Sequence, residues 1–253
     1  MPETGAVALR DAALSDARWH ALYRVAAASA LITVVIFLYQ IVAYFLWPPP
    51  SDVGAHFALL QAHRWVGLVS LDFLIVVDEV LFIPVCLALY LSLRRVHPSL
   101  TLLGTALCVV SLLCYVIATP ALNMLYLSRQ HAMSTSAAER EQLLAAGQAV
   151  LSFWQGTPYQ VGYVVGSLGM ILVSWVMLGG KSYGKAAGYT GIVANLVAFL
   201  LYVPKVGVLL SILSVVGLQV WYVMIARTLW KLAKEDAAVP SPEFSLNTST
   251  SLH

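Results

Sequence analysis

Three acidic residues interrupt one long apolar stretch of the chain. Asp72, Asp78 and Glu79 lie in residues 64–95, which read RWVGLVSLDFLIVVDEVLFIPVCLALYLSLRR. A carboxylate at the centre of a bilayer costs about 2.5–3.5 kcal/mol on insertion scales, so residues of this kind usually face a protein interior or a wet cavity. We therefore expect the three carboxyl groups to bind a proton or a cationic ligand, or to act as general acid and base on a lipid.

Helical geometry predicts how these groups are arranged. Asp72 and Glu79 are seven positions apart and would share one face of a helix, with Asp78 turned about 100° from Glu79. Asn195 and Gln219 lie near the middle of two other apolar runs, whereas no Lys or Arg does. The five residues are the candidate ligand- or proton-binding site. The alternative is a set of hydrogen bonds between helices, which average about 0.6 kcal/mol each in measured cases.

A second group of residues has the spacing of a weak metal site. Asp52, His56 and His63 are four and seven positions apart, and carboxylate and neutral imidazole are ordinary zinc ligands. Histidines on a surface helix are more often simply solvated, so we predict no metal and keep these three only as a weak candidate. The chain has no HExxH, GxSxG, P-loop or GxGxxG motif. We therefore predict no cofactor and assign no catalytic residue.

Composition identifies the elements that must hold these residues. The chain is 60% hydrophobic and 10% charged, against about 45–50% and 25% in soluble domains. This predicts an all-α, polytopic transmembrane helix bundle whose main partner is the lipid bilayer. A net charge of +2 gives no argument for a nucleic-acid partner.

Six apolar runs are long enough to cross a membrane, which takes about 20 residues. The predicted spans of this 24–232 transmembrane domain are 24–47, 65–93, 99–127, 159–178, 186–203 and 206–230. Pro120 predicts a kink in the third. Residues 51–64, capped by Ser51, predict a short interfacial helix, and residues 137–153 an amphipathic one. Residues 1–23 are predicted as a cytoplasmic tail and 233–253 as a disordered one.

The basic residues predict the orientation of the bundle. With six spans, ten Lys and Arg residues fall on one face of the membrane and four on the other. The positive-inside rule then places both termini in the cytoplasm.

Glycine spacing predicts where helices approach each other closely. The glycines are Gly162, Gly166 and Gly169 in the fourth span, and Gly184, Gly188 and Gly191 at the start of the fifth. They form packing faces between spans of this chain or between protomers, so a homo-oligomer is one expectation.

Several segments together resemble a bacterial membrane family known as domain of unknown function 4386. They are Arg24 at the first span, VVDEVLFIPVCLALYLSLRR, PSLTLLGTAL, residues 163–178, and GGKSYGKAAGYTGIVANL. The resemblance covers residues 23–232. It implies a multi-pass protein of the bacterial cytoplasmic (inner) membrane and supplies no activity, substrate or catalytic residue.

Three hypotheses for function follow. The first is a small-molecule-binding or transporter-like protein whose acidic cavity takes a proton, a cation or a small apolar ligand. The second is a membrane-embedded enzyme acting on a lipid or isoprenoid. The third is a structural or regulatory membrane protein in which the acidic residues hold helices together.

Overall fold

The computed structural model describes residues 19–205 and 207–235, and this part of the chain is helical without any β-strand. The α-helices are α1 His20–Leu46, α2 Val53–Ala62, α3 Arg64–Val69, α4 Phe73–Leu93, α5 Pro98–Ala118, α6 Ala121–Met133, α7 Ala137–Trp154, α8 Thr157–Gly179, α9 Lys185–Ala198 and α10 Gly207–Glu235. A 3₁₀ helix, Phe199–Tyr202, follows α9.

Six helical segments of the described chain are long and apolar enough to cross a membrane. They are α1, α4, α5 with α6, α7 with α8, α9 with the 3₁₀ helix, and most of α10. The predicted all-α, multi-pass membrane bundle is confirmed. The first span begins at His20 rather than residue 24, and α10 continues to Glu235. Residues 1–18 and 236–253 of the predicted tails lie outside the described residues, and the orientation of the termini stays a prediction.

Proline breaks the third predicted span into two helices. Thr119, between α5 and α6, has extended backbone (ψ 121°), as expected for a residue that precedes proline. Its hydroxyl donates to the Tyr115 carbonyl oxygen at 2.8 Å, which satisfies one group at the end of α5. The predicted kink at Pro120 is therefore a complete break.

The second predicted span is also interrupted, and here the prediction is wrong. Residues 65–93 were expected to form one helix, but α3 ends at Val69 and α4 begins at Phe73. Asp72 lies in this corner with left-handed backbone, at φ 59°, a conformation that Asp adopts more readily than most residues. Because Asp72 precedes α4, it does not share a helical face with Glu79.

Glycines bring α8 very close to α5. A Cβ atom on Gly169 would lie 2.8 Å from the Gly104 carbonyl oxygen and 2.9 Å from Cys108 Sγ. Ser111 Oγ also donates to the Gly162 carbonyl oxygen at 2.8 Å. The predicted packing face on α8 is confirmed, and its partner is α5 of the same chain.

The glycines of α9 differ among themselves. Gly188 and Gly191 lie against Ser174 of α8, and Gly191 also contacts Trp221 of α10. A Cβ atom on Gly184 would meet nothing within 4 Å. Gly188 and Gly191 therefore pack against helices of the same chain. A homo-oligomer stays a prediction.

One end of the bundle, called the packed half below, has a filled core. It contains the starts of α1, α5 and α9 and the ends of α4, α8 and α10. Its buried side chains include Tyr23, Ala27, Leu89, Met177, Ile225 and Leu229. Between α8 and α9, the buried Tyr183 hydroxyl forms a 2.8 Å hydrogen bond with Ser92 Oγ. Side chains of the chain therefore close this end of the bundle.

A second, smaller core lies near the other end. Helices α2, α3, α6 and α7 bury Phe57, Leu60, Met124 and Leu151 against one another. Gln61 Nε2 of α2 donates to the Ser128 carbonyl oxygen of α6 at 3.0 Å. The short helix predicted for residues 51–64 is present as α2 and packs on α6 and α7, and its location at the membrane interface stays a prediction. Its N-cap is Asp52 and not the predicted Ser51, since the Asp52 carboxylate accepts a bond from the Ala55 amide at 2.9 Å.

Candidate functional site

A cavity of about 500 Å³ occupies the end of the bundle opposite the packed half, which we call the cavity half. Its walls come from α1, α4, α5, α8, α9 and α10. One end of the cavity lies at Pro49, which follows α1, and at Trp154, the last residue of α7. The other end lies at Phe82 and Tyr222, which pack against the packed half. Ligand pockets in proteins are commonly about 300–1,000 Å³, so the cavity is large enough for a small organic molecule.

All five residues of the predicted binding site line this cavity. Asp72, Asp78 and Glu79 come from the α3–α4 corner and the first half of α4, Asn195 from the end of α9, and Gln219 from α10. Each of these segments lies in the half of its span that is distant from the packed half. The structure thus brings together residues that are up to about half the chain apart in sequence.

Contacts from α1 and α7 hold the corner that carries Asp72. The Tyr44 hydroxyl donates a hydrogen bond to Asp72 Oδ1, and the Trp154 side chain lies beside the same carboxyl group. Gln40 Nε2 donates to the Val69 carbonyl oxygen at 3.0 Å, at the end of α3. Asp72 is only 8% exposed. These contacts explain why the corner is stable despite its left-handed residue.

Sequence reasoning did not identify Tyr44 or Trp154 as part of the site. Gln40 and Tyr44 are four residues apart on α1 and therefore share a face. That spacing was a usable signal for Tyr44. Nothing local in the sequence connects Trp154, at the end of α7, with the α3–α4 corner.

Asp78 and Glu79 lie deeper in the cavity than Asp72. The Thr33 side chain of α1 lies beside the Asp78 carboxyl group, while Asp78 Oδ1 is buried and has no hydrogen-bond partner. Among the described residues that line the cavity, none is Lys, Arg or His. The wall therefore offers three carboxyl groups without a cationic side chain to neutralise them. Clefts lined by charge of one sign attract ions of the opposite sign.

The two amides near the carboxyl groups differ in their contacts. Asn195 Nδ2 donates to the Gly191 carbonyl oxygen at 2.8 Å, within its own helix α9. Gln219 Oε1 is buried without a hydrogen-bond partner, and so is Gln40 Oε1. These two oxygen atoms hold no helices together.

Aromatic side chains make up much of the remaining wall. Those that line the cavity include Phe37, Phe82, Tyr115, Tyr159, Tyr163 and Tyr222. The Tyr115 and Tyr159 rings meet edge to face at 5.4 Å between centroids, and Phe82 and Tyr222 do so at 6.2 Å. Tyr163 donates to the Ala198 carbonyl oxygen at 2.9 Å, which fixes its ring between α8 and α9. Aromatic faces attract organic cations through the ring quadrupole.

The weak metal candidate is not assembled. The Asp52 carboxylate caps α2, His56 is buried in the second core at 3% exposure, and His63 ends α2. Within residues 19–205 and 207–235, no group of three or more His, Cys, Asp and Glu side chains is arranged to hold a metal ion. Burial lowers the pKa of His56, which favours its neutral form.

Comparison with known proteins adds no assignment. No family model, curated protein or solved structure matches the chain. The resemblance to domain of unknown function 4386 stays a prediction.

Proposed function

We propose that this protein, located in the bacterial cytoplasmic membrane, binds a small organic cation in the cavity and serves as a ligand-binding or transport protein. One observation carries the proposal. Asp72, Asp78 and Glu79 line a single cavity, and the described lining residues include no cationic side chain. A bound cation would offset the cost of keeping these carboxyl groups away from bulk water.

The remaining wall favours an organic cation over a metal ion. Calcium and magnesium take six or more oxygen ligands at short distances, whereas aromatic and aliphatic side chains cover much of this cavity. Phe82, Met170 and Leu218 surround its inner end. An apolar or aromatic ligand body would bury its surface there, and the charged group would lie near the carboxylates.

A purely structural role for the carboxyl groups explains fewer of the contacts. Such a role requires hydrogen bonds that join helices. Asp72 has such a bond, from Tyr44. The Asp78 carboxyl group has the Thr33 side chain of α1 beside it, but its Oδ1 atom and Gln219 Oε1 are buried without a partner. Groups that stay unpaired beside a cavity are better explained by a ligand that pairs with them.

The packed half determines the route of entry in this proposal. Trp221, Ile225 and their neighbours fill the bundle between the cavity and the end where α1 begins and α10 ends. A ligand would therefore enter past Pro49 and Trp154, from the face that the positive-inside rule predicts as external. Transport would require the packed half to open and the cavity half to close, as in alternating access.

A binding measurement tests the proposal. The protein in lipid nanodiscs is titrated calorimetrically with 2-phenylethylammonium, a small aryl cation. A hydrogen bond to a charged group contributes about 1.5–3 kcal/mol, so Asp78→Asn or Glu79→Gln should weaken binding about 10- to 100-fold. Glu141→Gln, the same chemical change at an exposed position of α7, should leave binding unchanged. Absence of saturable binding, or equal binding by all four proteins, would refute the proposal.

A further inference from the structure

Three residues that line the cavity each have a buried side-chain oxygen atom without a hydrogen-bond partner. The three atoms are Gln40 Oε1 on α1, Asp78 Oδ1 on α4 and Gln219 Oε1 on α10. A buried acceptor that is left unpaired reduces stability, and a charged acceptor reduces it more. All three are acceptors, so whatever fills the cavity has to bring donors.

Gln40 gives the clearest case, because its orientation is fixed. The side chain is 8% exposed, and its Nε2 donates to the Val69 carbonyl oxygen at 3.0 Å. That bond decides which end of the amide is the nitrogen. The oxygen is left as the group that a ligand or water in the cavity must satisfy.

The acceptors lie on different walls and at different depths. Asp78 lies at the level of Thr33 on α1, and Thr33 is seven residues from Gln40 on the same helix. The levels of Asp78 and Gln40 are therefore separated by about 10 Å along the helix. A ligand with one donor would leave part of the set unpaired. A primary ammonium carries three N–H donors, and a further donor on the ligand would reach the second level.

Resting on the proposed function, we infer that the natural ligand is an amine that keeps its N–H groups, a primary or secondary ammonium on an aryl or hydrocarbon body, and not a quaternary ammonium. Cavity water can satisfy the free oxygens before binding. A ligand that displaces this water without replacing its hydrogen bonds loses affinity. A quaternary ammonium has no N–H donor and would gain only from the charge and the aromatic rings.

A matched pair of cations separates these cases. The protein in nanodiscs is titrated with 2-phenylethylammonium and with its N,N,N-trimethyl analogue, which keep the same ring and charge. We expect the primary ammonium to bind at least tenfold more tightly. Equal binding, or tighter binding of the trimethyl compound, would overturn the inference and leave the proposed function intact. If neither compound binds, the proposed function fails, and the inference fails with it.

A variant tests whether Gln219 accepts a hydrogen bond from the ligand's ammonium group. In Gln219→Met, the preference for the primary ammonium should shrink severalfold because one acceptor is gone, while the trimethyl compound should bind as before. Gln148→Met, the same change at an exposed position of α7, should keep the full preference. An undiminished preference in folded Gln219→Met would remove Gln219 from the site. If that variant does not fold, the comparison of the two cations on the natural protein still decides the inference.

Discussion

The packed half and the cavity half are built from the same transmembrane helices, yet one is filled and the other encloses about 500 Å³. In the packed half, Trp221, Ile225 and Leu229 of α10 share one buried cluster with small residues of α1 such as Ala26 and Ala27, and Trp221 also lies against Gly191 of α9. In the cavity half, the corresponding inward positions carry carboxyl and amide groups. Large apolar residues facing small ones fill the packed half, whereas no side chains of matching size fill the space between the helices of the cavity half.

The packed half supplies the close packing that stabilises the bundle, and the cavity half holds the cavity for which we propose ligand binding. Helices in lipid gain little from hydrophobic association and depend on close packing, which the packed half provides. Unpaired carboxyl groups and acceptors reduce stability, and proteins retain such groups where function needs them. Substitutions in the two halves should therefore have effects of opposite sign.

The largest effect is expected at the centre of the packed half. Trp221 is 0% exposed, and Trp221→Ala should lower the free energy of unfolding by about 3–5 kcal/mol, because a buried ring is replaced by a void. Denaturant titration in mild detergent measures this change. Trp175→Ala, at a residue that is 62% exposed, should have a much smaller effect. Equal losses would mean that the packed half is not the stable core.

A smaller loss is expected where α5 and α8 touch. In Gly169→Ala the new methyl group would press on the Gly104 carbonyl oxygen, and overpacking of this kind costs about 1–3 kcal/mol. The same change at Gly184 meets open space and should be nearly neutral. The shift in thermal unfolding midpoint distinguishes the two variants. A neutral Gly169→Ala would show that α5 and α8 separate without cost.

The cavity half should respond in the opposite direction. Asp78→Leu removes a buried oxygen that lacks a partner and should raise the free energy of unfolding by about 1 kcal/mol, at the low end because the contact with Thr33 is lost too. Glu141→Leu, at an exposed position, should stay within about 0.5 kcal/mol of the natural protein. A marked loss of stability in Asp78→Leu would instead support a structural role for this carboxyl group.

The smallest effect concerns pH and the second core. Burial lowers the pKa of His56 in the folded protein, with Asp52 acting in the opposite direction. The unfolded chain then binds the proton more readily than the folded protein does. The contribution of neutral His56 to the free energy of unfolding is therefore complete above the unfolded pKa of about 6.5 and is lost as the pH falls below it. Unfolding midpoints measured between pH 5 and pH 8 should show the decrease.

A substitution isolates the His56 contribution. His56→Phe should flatten the decrease at low pH, whereas His63→Gln, at an exposed residue, should not change it. An unchanged pH profile in His56→Phe would assign the dependence to another group.

Several features could be predicted because they depend on short stretches of chain. A membrane-spanning helix needs only length and apolar composition, so six spans follow from the sequence. Proline disfavours a continuing helix, and Pro120 does end one, although Pro84 lies inside the unbroken helix α4. The glycines of α8 predict close packing from their spacing alone. The polar residues within or next to the apolar runs, from Asp72 to Gln219, are likewise visible in the sequence.

Other features depend on contacts between distant residues. The run 65–93 is apolar enough for one helix, and its break at Asp72 is held by Tyr44, Gln40 and Trp154 from α1 and α7. How far each helix is rotated about its axis is set by packing against its neighbours. That rotation decides whether a polar residue faces lipid, another helix or a cavity.

The sequence by itself therefore determined that this is a six-span membrane protein with carboxyl groups at bilayer depth, because insertion into lipid is governed by local composition. Only the tertiary structure decided that Asp72, Asp78, Glu79, Asn195 and Gln219 line one cavity and that this cavity is confined to one half of the bundle. The physical reason is packing. Small residues let the helices meet around Trp221 at one end, and no side chains of matching size fill the space between them at the other.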